Sequence, residues 1–102
     1  MLKLYKGIIM RLKQNEIDAI KSAVKFYDVS AQVFLYGSRI DDTKKGGDID
    51  LLILSDKIKN NEIRKIKLKI FDIIGEQKID IISTASINSA FVEHAYKSGK
   101  RL

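Results

Sequence analysis

Three aspartates sit inside runs of aliphatic residues, and any fold of this chain has to accommodate them. Asp48-Ile49-Asp50-Leu51-Leu52-Ile53-Leu54 opens by alternating acid with aliphatic and ends wholly apolar, and Ile79-Asp80-Ile81-Ile82 repeats the pattern with one acid. Side chains of a strand alternate between its faces, so Asp48 and Asp50 leave one face roughly 6 to 7 Å apart while Ile49 and Leu51 point the other way. Aspartate is depleted in strands, and two such charges beside Leu52 and Ile53 repel each other and lose solvation unless a cation neutralises them. If the Asp80 strand lies beside the Asp48 strand, three carboxylates converge on a hard-oxygen site suited to magnesium.

The rest of the chain alternates helical and strand periodicity. Between Asn15 and Tyr27 the residues Ile17, Ile20, Ala23, Val24 and Tyr27 recur at helical spacing, with Asn15 as the expected N-cap and Glu16 and Asp18 in the first turn. Gln32-Val33-Phe34-Leu35-Tyr36 reads as a short buried strand ending at Gly37. From Asn60 to Ile74, Ile63, Ile66, Ile70, Ile73 and Ile74 form an apolar stripe, Lys65, Lys67 and Lys69 point outward, and Gly75 ends the helix. Ser86 is the expected cap of a last helix that carries Ile87, Ala90, Phe91, His94 and Ala95 and stops at Gly99. The order helix, strand, turn, strand, helix, strand, helix belongs to the α/β or α+β classes: one small mixed sheet with helices packed on it.

With 102 residues, one domain spanning 1–102 is expected. There is no cysteine, which excludes disulfides, thiolate zinc sites and a cysteine nucleophile, and the single histidine, His94, makes no histidine-rich metal site. Apolar runs are too short to span a bilayer and Met1 to Lys6 lacks the apolar core of a secretory signal, so the expectation is a cytoplasmic protein with no membrane association. The formal charge of +6 favours phosphate-bearing ligands without naming one.

Gly37-Ser38 supplies the complement to the carboxylates. Glycine lets the backbone turn tightly off a strand and approach a ligand, and the serine hydroxyl with the following amides makes an anion nest. Arg39, Lys44 and Lys45 are candidate phosphate or loop-positioning cations, and Gly46-Gly47 turns the chain into the Asp48 strand. Taken together, Leu35-Tyr36-Gly37-Ser38-Arg39, a loop, Gly47-Asp48-Ile49-Asp50-Leu51-Leu52-Ile53 and Ile79-Asp80-Ile81 resemble the nucleotidyltransferase superfamily of the DNA polymerase beta type. Within it, the pattern looks more like the minimal nucleotidyltransferases, the antitoxin partners of HEPN-domain toxins.

That resemblance implies a polymerase beta-like palm core and a set of roles. Asp48 and Asp50 match the paired metal-binding aspartates, Asp80 the third acid that helps hold metal and deprotonates or orients the attacking hydroxyl, and Gly37 and Ser38 the phosphate-cradling turn, with Arg39 beside it. The implied reaction moves a nucleoside monophosphate, AMP from ATP, with two Mg2+ ions, onto a hydroxyl of the partner HEPN toxin. One stretch departs from the pattern: where many minimal members carry a second Arg and a Gly, this chain reads Ile40-Asp41-Asp42-Thr43.

Other assignments remain open. The protein could neutralise a partner by occlusion without catalysis, or act on a small molecule or RNA end. The lysines from Lys57 to Lys69 read as a solvated helix face and lack the interleaved aromatics of a nucleic-acid platform, so direct nucleic-acid binding is not expected. His94 reads as packing or helix-surface decoration, and Tyr5, Tyr27, Tyr36 and Tyr96 as core or interface residues. Ile87 to Ala95 reads either as core packing or as a contact face for a partner or a homo-oligomer.

Overall fold

A computed structural model describes residues 12–37 and 49–102, together with the backbone of 3–5 and 8–10. The elements run β1 (Lys3–Tyr5), β2 (Ile8–Met10), α1 (Gln14–Tyr27), β3 (Gln32–Tyr36), β4 (Ile49–Leu54), α2 (Asn60–Ile74), β5 (Ile79–Thr84), α3 (Ala90–Ser98) and β6 (Lys100–Arg101). β1 and β2 form an antiparallel ribbon, and the other four strands form one mixed sheet in the order β5-β4-β3-β6. β3 pairs antiparallel with β4 and β6, whereas β4 and β5 are parallel and joined through α2. The class is α+β, as expected.

Strand alternation divides the apolar residues between two layers. Val33, Leu35, Ile49, Leu51, Ile53 and Ile79 face α1 and α2, where Ile17, Ile20, Val24, Ile66 and Ile70 complete the larger core. Phe34 and Leu52, with Tyr36, Leu54 and Ile82, face α3 and meet Val92 and Ala95. Each fully buried Leu or Ile contributes about 1.5 to 3 kcal/mol, so the larger cluster supplies most of the driving force.

The helix ends show how local chemistry sets the boundaries. α1 begins two residues earlier than the Asn15 cap predicts, with Lys13 at the cap, because the Lys13 backbone N–H donates to Glu16 Oε1 at 2.8 Å. Glu62 does the same for Lys59 at the start of α2. α2 spans the expected residues and ends at Gly75, whose φ of +87° is the left-handed angle that favours glycine. Within α2 the expectation for Ile73 fails, since it is 56% exposed. The stripe is centred on Ile66 and Ile70, and at its margin Ile73 borders an open groove of about 360 Å³ with Ser22, Ala23, Phe26, Lys69 and Asp72.

Ser86 does not cap the last helix. β5 continues past Ile82 because Ser83 and Thr84 still pair with Ile53 and Leu54, and Ser86 lies in the turn that follows, its carbonyl accepting from Thr84 Oγ1 at 2.9 Å. Ser89 takes the role, its Oγ accepting from the Val92 N–H at 3.2 Å, and α3 ends at Gly99 as expected. β1, β2 and β6 were not expected, being too short to carry a periodic signal. No helix among the described residues is long and apolar enough to cross a membrane.

Candidate active site

The end of the sheet where β3 finishes and β4 and β5 begin gathers the acids. Asp50 stands opposite Tyr36 in the antiparallel pair and beside Asp80 in the parallel pair, so Tyr36, Asp50 and Asp80 form a row across three adjacent strands. Neighbours in such a row are about 5 Å apart at the backbone and share a face. The face is that of α3, because Asp50 alternates with Leu52 and Leu54, Asp80 with Ile82, and Tyr36 with Phe34. Asp80 is exposed and Asp50 half-buried. The expectation that the Asp80 strand adjoins the strand carrying Asp50 is met.

Gly37 follows Tyr36 at the end of β3 with φ +82°. A Cβ on Gly37 would overlap the Asp50 carboxylate, so the backbone of the turn lies directly against that side chain. The Gly37 turn and the two aspartates therefore form one cluster. Ser38, Arg39, Asp48, Lys44, Lys45, Gly46, Gly47 and the Ile40-Asp41-Asp42-Thr43 stretch lie outside the described residues.

Tyr36, which reads from the sequence as a core or interface residue, is also the third member of the row. Its ring meets Phe91 of α3 edge-on, with centroids 6.1 Å apart at 83°. Burial raises the Tyr36 phenol above its ordinary value of 10.0, and the nearby charges of Asp50 and Asp80 push it further in the same direction. The phenol thus stays protonated near neutral pH and presents an O–H donor beside two acids. The signal that could have found it is its place immediately before Gly37, since a residue that ends a strand at a turn faces whatever that turn approaches.

The remaining candidates divide simply. His94 is exposed on α3, and Lys65 is exposed on α2, whereas Lys69 is partly covered with its Nζ 4.0 Å from the centre of the Phe26 ring. In the segment from Ile87 to Ala95, Val92 and Ala95 are buried while Ile87 and Phe91 are exposed. Sequence reasoning missed a second polar centre, at the opposite end of β4. There Ser55 Oγ donates to Asp28 Oδ2 at 2.6 Å and accepts from the N–H groups of Lys57 and Ile58, and Asp28 Oδ1 accepts from the Ser30 N–H at 3.0 Å. The Ser55 hydrogen bond holds the Asp28 carboxyl below its ordinary value of 3.8 against the opposing effect of burial, helped by the Ser30 N–H and the charges of Lys57 and Lys25.

The donor set at the Asp50 and Asp80 end suits a hard divalent cation. Both side chains offer only carboxylate oxygens, and two like charges in register on one face are relieved by a bound cation. Among the described residues no group of three His, Cys, Asp or Glu side chains forms; Asp48, next in the strand alternation, lies outside them. A comparison with curated proteins gives no match. The family model described as polymerase beta, nucleotidyltransferase matches residues 11–102, a span that takes in the whole four-stranded sheet, its three helices and the acid row. On that match the chain belongs to the polymerase beta nucleotidyltransferase family.

Proposed function

We propose that the protein transfers a nucleoside monophosphate, AMP from ATP, to a hydroxyl on a partner protein, as the antitoxin of a HEPN-domain toxin. The observation that carries the nucleotidyl-transfer reading is the register of Asp50 with Asp80 on the α3 face, with the Gly37 turn against Asp50. The protein acceptor is supported by the likeness of the motif pattern to minimal nucleotidyltransferases.

Asp50 and Asp80, with Asp48 as the motif resemblance implies, are the residues that would hold Mg2+. Mg2+ held there would supply positive charge to the triphosphate and to the oxygens of an in-line displacement. Asp80, the more exposed carboxylate, orients the acceptor hydroxyl and takes its proton. The hydroxyl oxygen forms a bond to the α-phosphorus as the bond from that phosphorus to the bridging oxygen breaks, and pyrophosphate leaves. Gly37 and Ser38 cradle the phosphates, and Arg39 adds a cation. Tyr36, protonated and packed on Phe91, closes the side of the site next to Asp50.

The test is to incubate the protein, with its co-purified partner, with ATP and Mg2+ and to read intact masses beside an Asp50→Asn control. A partner that gains an adenylyl group only with the unaltered chain supports the proposal. Label on an RNA end or a small hydroxyl compound instead replaces the acceptor. A partner held equally by both forms and never modified makes the protein a binding antitoxin.

A further inference from the structure

Two glycines hold nearly the same left-handed backbone angle in opposite surroundings. Gly75, at φ +87°, closes α2, and a Cβ placed on it would meet nothing within 4 Å. Gly37, at φ +82°, closes β3, and a Cβ there would overlap the Asp50 carboxylate, coming within 3.2 Å of its Cγ and 3.4 Å of its Cβ. Backbone angle alone accounts for glycine at 75. At 37 a second demand is added, because the space a methyl would take already holds a carboxylate oxygen.

Asp50 has little room to retreat. Its backbone is fixed by pairing with Tyr36 on one side and Asp80 on the other, and its short side chain relieves an overlap only by changing rotamer. A rotamer change moves the carboxylate oxygens relative to those of Asp80, and that relation is what a shared cation reads. We infer that Gly37 is a positioning residue for the cation site: its bare backbone is the surface against which the Asp50 carboxylate is set, so Gly37 governs metal affinity even without nucleotide. The inference rests on Asp50 and Asp80 being cation ligands, and it is separate from the phosphate-cradling role of a Gly-Ser turn.

Titrating Mn2+ alone into the whole protein, with no nucleotide present, separates the two roles. Asp50→Asn and Asp80→Asn test the underlying reading, and unaltered Mn2+ binding by both discards the cation site itself. Given that site, Gly37→Ala is expected to weaken Mn2+ binding about tenfold to a hundredfold, the scale of losing a group that orients a ligand. Gly37→Asn, which tolerates left-handed backbone but still carries a Cβ, weakens it similarly, while Gly75→Ala binds as the unaltered protein does. Normal Mn2+ affinity in folded Gly37→Ala and Gly37→Asn overturns the inference.

Should Gly37→Ala fail to fold, thermal melts in a second background decide. Asp50→Ala removes the obstructing carboxylate, so adding Gly37→Ala to it is expected to lower the melt no more than Gly75→Ala lowers that of the unaltered protein. Failure of the double variant to fold, or a loss in the Asp50→Ala background larger than that caused by Gly75→Ala, means that the carboxylate is not the obstacle, and overturns the inference.

Discussion

β4 has a carboxylate centre at each end, and the two are built on opposite principles. Beyond Leu54, the Asp28 carboxylate is only 5% exposed and accepts hydrogen bonds from Ser55 Oγ and the Ser30 N–H. At the start of β4, Asp50 and Asp80 lie side by side with their like charges on one face, one half-buried and the other exposed. The first arrangement gives a buried charge internal donors, which makes it part of the architecture. The second sets two acceptors side by side on one face, an arrangement that suits a site completed by a bound cation.

This contrast breaks most sharply under substitution. Asp50→Asn or Asp80→Asn is expected to cut nucleotidyl transfer about a hundredfold to a thousandfold, the scale of removing one preorganised electrostatic group, while the thermal melt of Asp80→Asn, at an exposed side chain, holds. Persistent transfer in both variants, measured by product mass, would sink the assignment of the site. At the other end Ser55→Ala should do the reverse. It removes the Ser55 partner of Asp28 Oδ2 and of the Lys57 and Ile58 N–H groups, at a cost of about 1 to 3 kcal/mol. For a domain of this size each kcal/mol lowers the melting temperature by roughly 4 to 8 °C, and transfer measured well below the melt should stay normal.

Acid sharpens the same comparison more gently. Because the folded Asp28 carboxyl titrates below its ordinary 3.8, its contribution to stability is complete above that value and fades as pH falls through the lower folded one. Urea midpoints measured from about pH 5 down to about pH 2 should fall less steeply in Asp28→Asn than in the unaltered protein. A parallel fall in both would assign the acid limb to other groups. The smallest effect belongs to Gly75→Ala, which should lose about 1 kcal/mol from backbone strain alone and leave transfer untouched.

The parts legible in the sequence are those with an internal period. The strand Gln32–Tyr36 and the helix Asn60–Ile74 match expectation residue for residue, because each is bounded by its own punctuation at Gly37 and Gly75. The pairing that brings Asp80 beside Asp50 was anticipated from acids that make sense inside aliphatic strands only in company. Features that depend on distant partners escaped. The expected strand stops at Ile82, and Ser83 and Thr84 extend it only through their pairing with β4, while Ser55 gains its role from a hydrogen bond to Asp28, far back in the chain. Ile73 has the same aliphatic side chain as Ile70, yet it lies at the margin of the stripe, beside an open groove bordered by Ser22, Ala23 and Phe26 of α1.

The parallel pairing of β4 with β5 has a kinetic consequence. Asp50 and Asp80 lie thirty positions apart in the chain and meet only after α2 has crossed over and β5 has docked at the sheet edge. Antiparallel neighbours such as β3 and β4 can form from a shorter loop, whereas this contact pays its closure entropy before any ladder bond rewards it. A chain that has assembled α1, β3 and β4 but not yet β5 therefore holds only part of the acid row. Its ability to bind cation through both acids appears only once that last long-range pairing is made, so metal binding during refolding would report the arrival of β5 rather than the initial collapse.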